Sequence, residues 1–134
     1  MDENNTESDE AFADWQEVVR QVLVATSTDI GNRIKVIGIS GSQGSGKSTL
    51  AKILVERLVQ AGANAQAVSL DDFYLTQAER VALAARVHPL LRTRGVPGTH
   101  DVEWLQRVLA DVRAGAGRIT LPEFDKALDD RSGQ

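Results

Sequence analysis

Between residues 11 and 24 the apolar side chains Ala11, Phe12, Trp15, Val18, Val19, Val22 and Leu23 recur at three- and four-residue spacing, the pattern of one helix face. The polar run Thr26-Ser27-Thr28-Asp29 interrupts it. From 34 to 39 the pattern changes: Ile34, Val36, Ile37 and Ile39 are all β-branched, which predicts a short buried strand. A Gly/Ser stretch leads into a second helical pattern over 47–61, with Leu50, Ile53, Leu54 and Leu58 on one face and Gly62 as its stop. Residues 65–70 predict another strand, ending in Asp71 and Asp72. Thr76 and Glu79 form a capping box that opens a helix running to about Val87. Pro89 and Pro97 make 88–99 a loop. Asp101 then opens a helix with Val102, Leu105, Val108, Leu109 and Val112 inward, ended by Gly115 and Gly117; 119–121 predicts a short strand closed by Pro122. Alternation of strand and helix predicts an α/β fold, a parallel sheet flanked by helices in three layers.

The chain has 134 residues, enough for one compact domain over 11–134 behind an acidic segment, 1–10. Its formal charge of −4 is concentrated in that segment. Asp2, Glu3, Glu7, Asp9 and Glu10 are five of the 19 acids, which leaves 14 against 15 bases in the rest. The first ten residues are therefore expected to be a solvated, disordered tail, and the remainder lacks the basic excess of a nucleic-acid binder. No apolar run approaches the roughly 20 residues that span a bilayer, and the start has neither the basic nor the apolar region of a signal peptide. The absence of cysteine excludes a disulfide scaffold and fits a reducing cytoplasm, the expected location. With two histidines and no cysteine, a zinc site is not expected, and His88 reads as a loop or helix-end residue. Trp15 and Trp104 fall on helix faces and read as core or interface residues.

The Gly/Ser stretch carries the first chemistry. Gly41, Ser42, Gln43, Gly44, Ser45, Gly46, Lys47 and Ser48 match G-x-x-x-x-G-K-[ST] between a strand and a helix. Glycines let successive backbone N–H groups turn around phosphate oxygens, and the following helix presents its positive end to the same anion. The pattern predicts a P-loop NTPase that binds a nucleoside triphosphate with Mg²⁺. Lys47 would reach the β- and γ-phosphates, Ser48 would ligate Mg²⁺, and Thr49 would touch the α-phosphate.

Asp71 and Asp72 stand at the carboxyl end of the second strand, where open α/β sheets bind ligands. Adjacent strand residues face opposite ways, so one of the two would point into a cleft. A carboxylate there accepts a proton from an attacking hydroxyl, binds Mg²⁺ directly or through water, or merely caps a turn.

The run SLDDFYLT, followed by VHPLLRTRGVPGTHDVEWL and LPEFDKALDDR, resembles the D-glycerate 3-kinases, members of the uridine kinase, phosphoribulokinase and pantothenate kinase group of P-loop kinases. The resemblance covers roughly residues 36–131. It implies ATP-dependent phosphorylation of a small-molecule hydroxyl, D-glycerate in the first place. It also makes Asp71 the catalytic base beside Lys47, leaving Asp72 for metal-bound water or local turn structure. Arg92 and Arg94 are cations on a loop stiffened by Gly95, Pro97 and Gly98, and arginine holds a carboxylate such as glycerate's at two points. Arg94 is the first choice for that contact, with Arg92 behind it. The resemblance adds His100 and Asp101 to the acceptor pocket, although Asp101 reads equally as a helix N-cap. It further adds Asp125, Lys126 and Arg131 from the last motif.

The resemblance also implies a longer protein. A Walker B strand with an acidic end, lying between the two predicted strands, and an arginine-bearing lid do not occur before Gln134. The chain is accordingly expected to be an N-terminal portion that binds ATP weakly and turns over little by itself. Two other readings remain open, a uridine or pantothenate kinase-like enzyme and a non-catalytic nucleotide-binding remnant.

Overall fold

A computed structural model describes residues 15–25 and 36–133. The acidic segment 1–10, the first turn of the first predicted helix and the 26–35 link lie outside the described residues. The chain divides into two compact units, Met1–Ala67 and Val68–Gln134.

In the first unit, helix α1 is described over 15–25 and helix α2 spans Lys47–Gln60. Their apolar faces make the unit's core: Val19, Leu50 and Leu54 are buried, with Trp15, Val22, Leu23, Ile39 and Ile53 packed against them. The i, i+4 pair Leu50 and Leu54 faces inward because helical geometry stacks those positions one turn apart. Ala61 caps α2 through its backbone N–H, and Gly62 follows at φ +89°, a left-handed turn that glycine adopts freely. The sequence therefore places this helix within one residue.

Among the described residues neither predicted strand forms, residues 34 and 35 of the first lying outside them. Residues 36–40 and 63–69 carry no strand assignment, and Val36 and Val68 are 49% and 48% exposed rather than buried. Among the described residues the single sheet is a two-stranded antiparallel hairpin of the second unit, not the parallel sheet expected. A β-branched run favours an extended backbone, but a strand exists only where a neighbouring backbone completes the ladder. No such ladder partner is present for these segments among the described residues.

The second unit is built from turns around two helices. Residues Leu70–Phe73 form a 3₁₀ turn, capped by Ser69, whose hydroxyl accepts from the Asp71 N–H at 3.2 Å. Helix α3, Gln77–Arg86, opens with the expected capping box. Thr76 Oγ1 accepts from Glu79 N at 3.2 Å, and Glu79 Oε2 from Thr76 N at 2.9 Å. A second 3₁₀ turn, Pro89–Arg92, occupies the predicted loop, with His88 as its N-cap. Helix α4, Val102–Arg113, starts at Asp101 as predicted. Its buried side is narrower than the pattern suggests, because Val108 is buried while Val102 is 52% exposed. The 119–121 strand is absent; instead β1, Phe124–Asp125, pairs antiparallel with β2, Asp130–Arg131. Phe73, Tyr74, Leu91, Val108 and Phe124 are the buried apolar residues of this unit.

Candidate functional site

The phosphate-loop residues Gly41–Thr49 all belong to the first unit. Ser45 N donates to Ser42 O at 3.1 Å and closes a turn. Gly44 and Gly46 take φ +75° and +88°, the left-handed conformations that a side chain resists. Gly46 is the N-cap of α2, and it brings no side chain to the first turn, which also holds no acid. The positive end of α2 is thus left to an incoming anion. A Cβ on Gly41 would meet Ser45 Oγ at 2.7 Å, and one on Gly46 would meet the Trp15 ring at 3.1 Å. The glycine spacing is therefore required by the fold of the loop itself. Lys47 curls back over it, its ammonium donating to Gly41 O at 2.7 Å and Ser42 O at 2.9 Å. These features fit a nucleotide phosphate. Ser48 follows Lys47 in the exposed first turn, where its hydroxyl is available to a phosphate-bound cation.

In the second unit, the three sequence motifs meet around Tyr74. Asp71 Oδ2 accepts from Lys126 Nζ at 2.9 Å, a pair with half-exposed side chains. The Lys126 ammonium holds the Asp71 carboxyl below the usual range, with smaller help from His100 and Tyr74, against a burial effect in the other direction. Tyr74 pairs with His100 across an isolated antiparallel bridge, and their rings stack at 4.2 Å between centroids. Burial, then the Asp71 charge, push the Tyr74 hydroxyl above its ordinary value; Lys126 and Arg94 pull the other way. Its oxygen lies 4.0 Å from the Cβ position of Gly95. Asp71, Tyr74, Arg94, His100 and Lys126 accordingly act on one another electrostatically.

Arg94 is not a free cation. Its Nη1 donates to Asp129 Oδ1 at 2.6 Å and makes a longer contact of 3.4 Å with Lys126 O. Behind Asp129 stands Arg80, whose side chain has no exposed surface. Arg80 donates to Leu75 O at 3.2 Å, Arg92 O at 2.9 Å, and the Asp129 carbonyl and carboxylate. One buried guanidinium thus ties the end of the Asp-Asp-Phe-Tyr segment, the arginine loop and the hairpin turn together. Sequence reasoning missed Arg80, Tyr74 and Asp129. Tyr74 lies in the SLDDFYLT motif with nothing in the sequence to give it a role, and Arg80 looks like an ordinary helix-surface charge until Asp129, 49 residues away, is placed beside it.

The other candidates are engaged in architecture. Asp72 Oδ1 accepts from Phe124 N at 3.2 Å, so the local reading of Asp72 has its partner. Asp101 Oδ1 caps α4 through Trp104 N at 3.0 Å, while Oδ2 lies 3.5 Å from Arg131. Arg131 also donates to Tyr74 O at 3.0 Å and lies over the Trp104 ring at 4.7 Å. Asp125 Oδ1 accepts from Ala127 N and Leu128 N, at 2.8 and 3.1 Å, and fixes the hairpin turn. Arg92 is exposed and lines, with Gln77, Val81, Thr93, Arg94 and Asp129, an open cleft of about 700 Å³. No group of three or more His, Asp or Glu side chains gathers into a metal cage among the described residues. No described helix is long and apolar enough to cross a membrane.

Comparison with known proteins separates two levels of relationship. A family model described as Methylmalonyl Co-A mutase-associated GTPase MeaB matches residues 4–74, the part that holds the phosphate loop. Uncharacterized kinase mug58 of Schizosaccharomyces pombe is 47% identical over 95 residues, covering 69% of this chain and 34% of its own. A pantothenate kinase of Paenarthrobacter aurescens is 32% identical over 122 residues, covering 87% of this chain and 36% of its own. The solved D-glycerate 3-kinase of Cryptococcus neoformans var. grubii superposes with a TM-score of 0.74 at 33% identity, over 91% of this chain and 47% of that one. The GTPase match stops at 74, while these kinase matches extend beyond it into the acceptor-side motifs. The chain spans about a third of the length of the curated relatives named and about half of the solved one.

Proposed function

The chain belongs to the P-loop nucleotide-binding proteins and, within them, to the kinases that include the D-glycerate 3-kinases, and from that membership we propose an ATP-dependent phosphotransferase acting on a hydroxyl of a small molecule, the acidic D-glycerate ahead of pantothenate or uridine. The observation that carries this reading is the half-exposed Asp71 carboxylate, held ionised by Lys126 with His100 and Tyr74 nearby. An ionised carboxylate whose one ion-pair partner is itself exposed is a group that can be turned to accept a hydroxyl proton. The two cations near Asp71 and Tyr74, Lys126 and Arg94, favour an acceptor that carries negative charge of its own.

The first unit would bind the phosphates through the loop N–H groups and the Lys47 ammonium, with Ser48 holding Mg²⁺. When bound, Mg²⁺-ATP supplies the phosphoryl group and a cation that neutralises it. Within the second unit, Asp71 would accept the proton of the acceptor hydroxyl when that oxygen takes up the phosphoryl group and ADP leaves. Lys47 offsets the charge that develops on the phosphoryl oxygens. Tyr74 and His100 wall the acceptor with stacked rings, and the Arg80–Asp129–Arg94 group fixes the loop beside it.

Calorimetric titration tests the reading. D-glycerate is expected to bind more tightly than pantothenate or uridine, and Lys47→Ala to weaken ATP by about tenfold or more, on the scale of a lost charge-assisted contact. Equal affinity for all three acceptors, or ATP binding indifferent to Lys47, would contradict it.

A further inference from the structure

Two cations flank Asp71 and Tyr74, and the structure holds them very differently. Arg94 bonds Asp129, whose carboxylate is fixed from behind by the fully buried Arg80. Withdrawing Arg94 from Asp129 would give up a 2.6 Å charge-assisted contact made by a side chain only 31% exposed, which costs more than parting an exposed pair. Lys126 has no such anchor. Among the described residues its ammonium bonds Asp71 alone, and the two side chains are 60% and 50% exposed. An exposed ion pair of this kind contributes little, so breaking it is cheap. The backbone beneath it is firm, because Asp125 fixes the turn through the Ala127 and Leu128 N–H groups. Only the Lys126 side chain has to swing, over a turn that stays in place.

We infer that Lys126, rather than Arg94, is the specificity residue for an acidic acceptor: its ammonium exchanges the Asp71 carboxylate for the acceptor's carboxylate, freeing Asp71 to face the acceptor hydroxyl. The exchange rests on the acceptor reading above. It gives the negative charge of the acceptor a second use beyond affinity. An uncharged polyol leaves Lys126 on Asp71, so the base stays covered. A carboxylate-bearing one uncovers it, with Arg94 kept as a fixed wall of the pocket. Lys126 forms a point contact on a flexible four-carbon stem, suited to a moving role, whereas the planar fork of Arg94 suits a static one.

The test is an NMR titration of the full 134-residue chain with D-glycerate and, separately, with glycerol, its uncharged counterpart. In the wild type, D-glycerate is expected to move the Lys126 side-chain ammonium signal, and glycerol to leave it in place. Lys126→Gln is expected to weaken D-glycerate about tenfold without changing the response to glycerol, and Lys126→Arg to restore most of the loss. Because Lys126 is exposed, thermal unfolding of both variants should match the wild type, which separates recognition from folding. A D-glycerate response confined to Arg94, or one unaffected by Lys126→Gln, would overturn the exchange and leave the acceptor reading standing. No D-glycerate response anywhere in the wild type would overturn both.

Discussion

Arg80 meets Asp129 as a two-point pair, with Nη1 3.3 Å from one carboxylate oxygen and Nη2 3.2 Å from the other. The guanidinium is fully buried and the carboxylate is 39% exposed, so the arginine depends on the aspartate more than the reverse. Asp129 is also the one non-glycine residue among those described with a positive φ, +53°.

That pair yields a stability test in two parts. Asp129→Asn keeps a side chain that tolerates the left-handed backbone but removes the charge, and is expected to cost about 3 kcal/mol, near the low end for a broken buried pair. Asp129→Ala loses the same charge and adds roughly 1 kcal/mol of backbone strain. Urea unfolding measures both. Equal midpoints for the two variants would show that the positive φ carries no cost.

The same carboxyl sets an acid response. Arg94 first, then Arg80, hold Asp129 below the ordinary carboxylate range, against a raising effect of burial. Its folded value is thus lower than its unfolded value of about 3.9. The linked stability is fully present above the unfolded value and is lost as pH falls through the folded one. Urea midpoints should hold steady from about pH 7 to 5 and then decline, with a shallower decline in Asp129→Asn. Superimposable declines would assign the acid response elsewhere.

The loop glycines offer a contrast within eight residues of sequence. Gly46 is left-handed and its Cβ position sits 3.1 Å from Trp15, whereas Gly44 is left-handed with nothing within 4 Å. Gly44→Ala is expected to cost about 1–2 kcal/mol from the backbone alone. Gly46→Ala should cost more and should also shift the Trp15 fluorescence. An unchanged tryptophan spectrum in Gly46→Ala would mean that the ring does not rest on the loop.

Local signals were legible in the chain. The 47–60 helix, the Thr76–Glu79 box, the Asp101 cap and the glycines of the phosphate loop each depend on residues within a few positions of one another. Longer-range relationships were not. The runs 34–39 and 65–70 have strand chemistry, yet a strand is a property of two backbones. Arg94 was noticed as a cation, but its engagement with Asp129 depends on Arg80, which carries no mark in the sequence. Lys126 was grouped with Asp125 and Arg131 as an acceptor-side candidate; only the contact with Asp71 singles it out. Asp125 and Arg131 have contacts of their own, with the turn N–H groups and the Tyr74 carbonyl.

Single-turnover transfer from γ-³²P-labelled ATP, with D-glycerate, pantothenate and uridine offered in parallel, addresses the proposed activity directly. Labelled phosphoglycerate should form faster than either other product, slowly in absolute terms, and Asp71→Asn should slow it by about 10²–10⁴-fold, the range of a lost general base. Transfer at the same rate in wild type and Asp71→Asn, or no preference for D-glycerate, would contradict the assignment.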